Sequence, residues 1–286
     1  MLMTPPRAPL PWLLAVACLA AAACGSGAAP PPAAEASRPM TPTDANAGER
    51  MAEVHLGPHR FRIPSNYFDI ERGQDAQGFM RLILRWPELA PLPAGTHYLS
   101  GGESERARNI DISPDYIDRV PLQTSLERDL ISNTDSEQER RENPTLNPDL
   151  RIHGDPVHGL TPYYTDFAKV DAYYRERYGK HADTAAQRHS PFNNDWLVGR
   201  DAQGTLTTVI KCTSREEPEG ARIVEGRLEL LDAPMLPSCS HSFLMPRYGA
   251  NVRVSYQRIF VRDWKRIEQR IREIFDNGYL GDAPAR

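Results

Sequence analysis

Proline is the residue that most restricts what this chain can fold into. The sequence contains 26 prolines among its 286 residues, and each one fixes a backbone angle, removes a hydrogen-bond donor and interrupts helices. We therefore expect short strands and loops. A hydrophobic share of 40% and a charged share of 25% are typical of an ordinary soluble globular protein, and they exclude collagen, a coiled coil and a wholly disordered chain.

The charge balance excludes one class of partner. The chain carries 34 Lys and Arg residues against 38 Asp and Glu, which gives a formal net charge of −4. Nucleic-acid binding depends on a basic excess that neutralises phosphates, and this chain has none. We therefore predict no nucleic-acid partner.

The first residues are typical of a secretory leader. One cation, Arg7, precedes an apolar run over residues 10–23, in which Pro11 and Trp12 are the irregularities. That run is shorter than the roughly 20 residues that cross a bilayer core as a helix. A short positive region, an apolar stretch and small residues before a break together predict a signal peptide over residues 1–23.

The end of the leader indicates a lipoprotein. The sequence Ala21-Ala22-Ala23-Cys24-Gly25-Ser26 resembles the bacterial lipobox, which implies that the Cys24 thiol is acylated and becomes the first residue of the mature chain. Leucine is usual three places before that cysteine, where this chain has Ala21. Two alternatives are a plain signal peptide that leaves Cys24 as a free thiol, and a lipobox at Cys18 with a short apolar core. Gly25, in place of an aspartate, favours the outer membrane.

The segment after the leader predicts a disordered tether and then a folded head. Residues 24–50 are rich in Ala, Pro, Gly and Ser and show no hydrophobic periodicity, so they cannot bury enough apolar surface to offset their ordering entropy. A flexible tether of this length spans roughly 30 Å. We assign residues 51–281 to an α+β head, with a division near Arg151 as an alternative to one domain.

The cysteine count predicts one disulfide. Of the four cysteines, Cys18 is lost with the leader and Cys24 is used by acylation, so two remain. In an oxidising periplasm we expect these two to form a Cys212–Cys239 bridge. A redox pair or a zinc site is the weaker interpretation, because there is no Cys-x-x-Cys sequence and His241 near Cys239 belongs to no second ligand cluster.

Alternating apolar residues predict a head built mainly of strands. Residues 54–63 and 195–212 predict two hairpins, the second around a turn that ends at Gly204. Further strands are expected over residues 79–86, 222–231, 240–244 and 251–256. The polar stretches 101–108 and 133–148 are expected to be solvated loops, and residues 124–130 a short helix.

One longer helix is expected near the C-terminus. Apolar residues recur there at steps of three and four, which places them on one helix face: Phe260, Trp264, Ile267, Ile271 and Ile274. Asn277-Gly278 is a stop signal for this helix. We expect it to pack on a sheet, with a membrane-surface helix as the alternative. The predicted fold class is therefore α+β, a mainly antiparallel sheet with a C-terminal amphipathic helix packed on it.

The search for a chemical site is almost entirely negative. The Gly-x-Ser-x-Gly, His-Glu-x-x-His, P-loop and calcium-loop motifs are absent from the sequence. His55 and His59 are four residues apart, but on a predicted hairpin, so helical geometry does not join them as metal ligands. Asp111 and Asp115 have a spacing that any acidic sequence provides. We therefore predict no catalytic residue, no cofactor and no metal.

Aromatic residues are concentrated between positions 163 and 178. The group consists of Tyr163, Tyr164, Phe167, Tyr173, Tyr174 and Tyr178. Tyrosine is enriched at binding hot spots because it brings a large and stiff contact area. Aromatic residues fill cores more often than interfaces, so a core role is the main alternative. The two polar, acidic stretches suit a basic partner, with simple solvation as the alternative.

Several short motifs together carry a resemblance to a known family. They are Phe61-Arg62-Ile63-Pro64-Ser65-Asn66-Tyr67, Leu84-Arg85-Trp86-Pro87-Glu88-Leu89, Val209-Ile210-Lys211-Cys212, Pro237-Ser238-Cys239-Ser240-His241-Ser242-Phe243, and the helix around Trp264. With these motifs the chain resembles the immunity lipoproteins of type VI secretion lipase effectors. Similar lipoproteins neutralise effectors of antibacterial type IV systems.

The resemblance implies a protein that is not an enzyme. Members of the family bind a toxin delivered into the periplasm, often a phospholipase, and block its active site or its lid. For this chain that implies a cognate lipase effector as partner, membrane attachment through the lipid on Cys24, and a place on the outer membrane facing the periplasm. A structural or assembly lipoprotein of the envelope and an enzyme acting on envelope material are the two alternatives.

Overall fold

A computed structural model describes residues 50–69, 73–75, 77–131, 136–185, 188 and 193–284. The leader over residues 1–23, Cys24 and the tether up to residue 49 lie outside the described residues, so the expectations about them stay predictions. Within the described part, no helix is long and apolar enough to cross a membrane.

Most of the described chain is organised around antiparallel strands. They are β1 (Met51–Leu56), β2 (His59–Pro64), β3 (Leu82–Arg85), β4 (Asn109–Tyr116), β5 (Ile152–His153), β6 (Thr161–Tyr164), β7 (Asn194–Arg200), β8 (Leu206–Thr213), β9 (Ala221–Val224), β10 (Arg227–Leu230), β11 (Ser238–Met245), β12 (Ala250–Gln257) and β13 (Tyr279–Asp282). An eight-stranded sheet has the order β3-β4-β12-β11-β8-β7-β6-β5, and a three-stranded sheet has the order β1-β2-β13. β9 and β10 form a separate hairpin. The large sheet takes strands from both sides of Arg151.

The described residues also contain five α-helices. They are α1 (Glu103–Ala107), α2 (Leu122–Leu130), α3 (Glu137–Glu142), α4 (Phe167–Tyr178) and α5 (Trp264–Gly278). α5 buries the apolar stripe that the sequence predicted, including Ile267, Ile271 and Ile274. The mainly antiparallel sheet with this helix packed on it confirms the predicted α+β class.

The two faces of the large sheet are covered differently. One face lies in the main core, where Phe243 of the sheet and Ile271 of α5 are both fully buried. The opposite face carries a smaller cluster, in which Leu126 of α2 packs with Trp196 and Val209. Adjacent residues of a strand point to opposite faces, so nearly continuous apolar runs such as β8 supply both clusters.

The disulfide joins two neighbouring strands of the large sheet. Cys212 on β8 lies directly opposite Cys239 on β11, and the bonded pair has a Cα–Cα distance of 4.0 Å. Both residues are buried in the main core. This confirms the predicted Cys212–Cys239 bridge, which closes a segment of 27 residues that includes the β9–β10 hairpin.

Two expectations about local structure are wrong in part. Residues 222–231 are not one strand, because the chain turns back at Glu225 and Gly226, whose φ angles are 48° and 76°. The polar stretches 101–108 and 133–148 are not loops throughout, since they contain α1 and α3. Both helices have acidic residues in the first turn, where negative charge stabilises the helix dipole.

Candidate partner-binding surface

α4 is a helix that contributes little to the core. Asp166 begins it, because its carboxylate accepts a hydrogen bond of 3.2 Å from the backbone N–H of Lys169. Gly179 ends it with a φ of 70°, a conformation that glycine adopts without strain. Of its twelve residues only Val170 is buried. Most of the helix surface is therefore available to a partner.

Three tyrosines form an aromatic row along α4. The rings of Tyr173 and Tyr174 are 5.4 Å apart and perpendicular, and those of Tyr174 and Tyr178 are 5.7 Å apart and stacked. Tyr178 is 57% exposed, while the other two are half-buried. Such side chains provide a large contact area for little lost conformational entropy. We call these three residues the tyrosine row.

A groove of about 780 Å³ lies between α3 and α4. Its lining residues come from both helices and from the segment that follows α3: Gln138, Arg141, Glu142, Pro144, Leu150, Lys169, Ala172, Tyr173, Glu176 and Arg177. Three of them are cationic and two are anionic, so the groove presents both signs of charge. No residue of α3 is buried. Both walls of the groove are therefore surface helices.

The Tyr173 hydroxyl is a hydrogen-bond donor for which the described residues supply no acceptor. It is buried in the groove wall and has no hydrogen-bond partner among the described residues. Burial raises the pKa of this phenol, so the hydroxyl stays protonated and able to donate. A buried donor without an acceptor costs about 1–3 kcal/mol.

Two features of the sequence meet at this groove. The aromatic group supplies Tyr173 on α4, which lines the groove while Tyr174 and Tyr178 continue the row beside it, and the acidic stretch over residues 133–148 supplies α3. The other aromatic residues pack elsewhere: Tyr163 lies against the smaller core cluster, Tyr164 has the Arg215 guanidinium 3.5 Å above its ring, and Phe167 also lies under an arginine. The concentration of aromatic residues between positions 163 and 178 therefore indicated α4, one wall of the groove.

Arg151 fastens the segment after α3 to the large sheet. It is 4% exposed, and its guanidinium donates to the carbonyls of Asn194 at 2.7 Å and Thr145 at 3.0 Å. The same group lies 3.7 Å from the centre of the Trp196 ring. Burial lowers the pKa of Arg151 to about 10. The sequence singled out this residue only as a conceivable domain boundary.

A separate cluster of titratable groups lies in the main core. His241 Nε2 is 3.0 Å from Glu268 Oε1, its Nδ1 is 3.2 Å from the Tyr256 hydroxyl, and Thr208 donates to the same carboxylate oxygen at 2.7 Å. His241 is fully buried and Tyr256 is 2% exposed. Although an acid, an imidazole and a hydroxyl converge here, enclosing side chains separate them from any substrate. The cluster therefore joins α5 to three strands of the large sheet.

The remaining sequence candidates are not brought together. Across the described ranges, no three His, Cys, Asp or Glu side chains are arranged to hold a metal ion. His59 contacts Asp282 at 2.6 Å, while His55 is exposed on β1. Asp111 and Asp115 each lie against an arginine, so they belong to surface ion pairs.

A solved structure resembles this chain in both fold and sequence. It is Smlt3025, an immunity protein of the Stenotrophomonas maltophilia type IV secretion system, with a TM-score of 0.71 and 29% identity. The match covers 81% of this chain and 94% of that chain. The likeness supports an immunity role. No protein-family model matches this chain, and no curated protein matches it.

Proposed function

We propose that this protein is an immunity protein that binds a toxin of an antibacterial secretion system and neutralises it by occlusion. The observation that carries the proposal is the likeness to Smlt3025 over 94% of that protein. The surface around α3 and α4 supports it, because the groove between these helices and the tyrosine row beside it offer stiff aromatic contact area outside the core. Occlusion of this kind needs a rigid surface and no chemistry.

We further propose that the toxin is a lipase effector, delivered by a type VI or a type IV system. The support is the set of motifs that resembles the immunity lipoproteins of such effectors. In this chain those motifs build the scaffold: Trp86 stacks on Phe260 with ring centres 4.7 Å apart, and Trp264 donates to the His158 carbonyl at 3.0 Å. These motifs therefore concern the fold, and we assign the choice of partner to surface residues outside them.

The proposed location is the periplasmic side of the outer membrane, with the head attached through a lipid on Cys24. The buried disulfide fits an oxidising compartment. A tether of roughly 30 Å lets the head reach a toxin near the membrane surface. Attachment to the membrane that a lipase attacks raises the local concentration of the inhibitor there.

Deletion of the gene is the experiment that tests the proposed function. We expect the deletion strain to be killed by a competitor that delivers the effector encoded next to this gene, and to be rescued by the gene on a plasmid. The full-length protein, purified in detergent, is expected to bind that effector stoichiometrically. An envelope defect that appears without any competitor, together with no binding, would instead favour the structural lipoprotein.

A paired substitution locates the binding surface. Replacing Tyr174 and Tyr178 by alanine is expected to weaken effector binding at least tenfold, as for hot-spot aromatics, while the melting temperature stays unchanged because the helix lies outside the core. Phe79→Ala is the matched control, since Phe79 is an aromatic residue that is 66% exposed away from the groove. Equal affinities for the two variants would remove the exposed end of the tyrosine row from the interface.

A further inference from the structure

Lys211 on β8 carries a charge that its surroundings do not neutralise. Its cross-strand neighbour is Trp196, and the ammonium Nζ lies 4.3 Å from the centre of that ring. Cross-strand neighbours share a face of the sheet, so Lys211 lies on the face that α2 partly covers. It is half-buried and makes no ion pair or hydrogen bond in the described part of the chain.

A second cation shares the same indole. The Arg151 guanidinium lies 3.7 Å from the centre of the Trp196 ring. Its hydrogen bonds go to backbone carbonyls and to the Thr165 hydroxyl, none of which carries a charge. Cation–π attraction offsets part of the desolvation cost of each cation, but the two positive charges repel each other.

The nearby acid is already engaged. Asp129 on α2 accepts hydrogen bonds from Asn251 at 2.8 Å and from Arg253 at 3.3 Å. Burial, followed by the Arg151 charge, lowers the pKa of Lys211 to about 8. Asp129 attracts the ammonium, but burial and the Arg151 charge outweigh this attraction, so further negative charge would still stabilise Lys211. A carboxylate placed against this ammonium would form a charge-assisted hydrogen bond and supply that charge.

The sheet surface beside Lys211 is open. Its partner on β11 is Ser240, and the next residue in the same row is Ser255 on β12. Both serines are exposed. Because their side chains are small, a protein surface can approach the ammonium across this part of the sheet.

We propose that Lys211 is a contact residue for the partner toxin and receives an aspartate or glutamate side chain of that protein. This rests on the proposed immunity function, because the toxin is the occupant. Arg151 contacts Trp196 next to Lys211 and also the segment that follows α3. The carboxylate site and the groove are therefore linked through one buried side chain.

Affinity measurements with the neighbouring effector test this assignment. Lys211→Met is expected to weaken binding by about 10- to 100-fold, the usual effect of losing a hydrogen bond to a charged group, and to reduce the salt dependence, whereas Lys211→Arg retains most of the affinity. Lys265→Met is the matched control, because the Lys265 ammonium also lies near a tryptophan ring, that of Trp264, at 5.3 Å, but the residue is exposed on the outer face of α5. If the Lys211→Met and Lys265→Met variants both bind the effector with wild-type affinity, the assignment of Lys211 is overturned. The proposed immunity function would still stand, because the effector is bound.

A second arm of the test does not need the effector. The sequence contains four lysines, so full-length protein labelled with [ε-13C]lysine gives four lysine signals, and the signal that Lys211→Arg removes identifies Lys211. A peptide with acetylated and amidated ends and two glutamates is expected to shift the Lys211 signal saturably, and its glutamine analogue is not. A Lys211 signal that moves no more than the Lys265 signal would overturn the assignment, whatever the effector experiment shows.

Discussion

The charged groups of Glu268 and Lys211 have opposite surroundings in this protein. Glu268 is surrounded by donors from His241 and Thr208 and by Arg272 at 3.1 Å, so its charge is fully satisfied inside the core. Lys211 lies against an aromatic ring, and the nearby acid, Asp129, accepts its hydrogen bonds from Asn251 and Arg253. The first arrangement stabilises the fold, whereas the second leaves an interaction open for a partner. Neither role could be inferred from residue identity alone.

The pKa of Lys211 is the first prediction at this scale. Burial and the neighbouring Arg151 charge are expected to give its ammonium a titration midpoint of about 8. Carbon-13 or nitrogen-15 NMR of lysine-labelled protein measures this midpoint, with Lys211→Arg to identify the signal. A midpoint near the ordinary value of 10.5 would show that the ammonium is solvated and would contradict the geometry.

Glu268→Gln is the second prediction at this scale. Burial alone raises the pKa of Glu268, but the hydrogen bond and charge of His241, together with Thr208 and Arg272, lower it overall. The folded pKa therefore lies below the unfolded one, and the stabilisation is complete above about pH 4.5 and lost as the pH falls through the folded pKa. We expect Glu268→Gln to reduce the free energy of unfolding by about 3 kcal/mol at pH 7.

Denaturant unfolding from pH 7 down to pH 3 checks this prediction. The difference between wild type and Glu268→Gln is expected to shrink below about pH 4.5. Glu273→Gln, on the exposed side of the same helix, is the control and is expected to change stability by less than about 0.5 kcal/mol. A pH-independent difference would mean that the carboxylate charge is not the stabilising feature.

At the scale of elements, a helix or strand could be predicted from the sequence where it buries a regular pattern of apolar residues. α5 could be predicted because four apolar residues of the stripe, from Trp264 to Ile274, turn toward the core at helical spacing. The fifth, Phe260, is buried in the 3-10 turn just before the helix. α4 was not foreseen, because only Val170 is buried and no apolar stripe forms. β9 and β10 were read as one strand because Glu225, which has positive φ, carries no strong turn signal by itself. The two helices that form the groove, α3 and α4, are thus the ones whose sequences contain no apolar pattern that predicts their packing.

Removal of the disulfide is the prediction at the scale of elements. The bridge closes a segment of 27 residues, and the chain-entropy relation gives about 3.5 kcal/mol for a loop of this length. A Cys212→Ala, Cys239→Ala double variant is therefore expected to unfold at lower denaturant concentration, by about 2–4 kcal/mol in free energy. Reduction of the wild-type protein should reproduce most of this loss, and an unchanged midpoint after reduction would contradict it.

At the scale of the whole molecule, a stable scaffold carries two helices that do little for its stability. The sequence predicted the class of this scaffold, because alternation and the helical stripe are local patterns. It did not predict the order of eight strands, since pairing β4 with β12 joins residues more than a hundred positions apart and local pattern does not report such contacts. The groove could not be predicted from the sequence for the same reason, because its walls come from separate segments of the chain.

The most direct measurement of the central claim is a titration of the proposed lipase effector with this protein, with the effector's activity as the readout. Occlusion predicts a linear loss of activity that ends at one molecule of this protein per effector and does not progress with time. Activity that persists beyond that ratio would contradict immunity, and time-dependent inactivation far below it would show that the protein acts by turnover instead of binding.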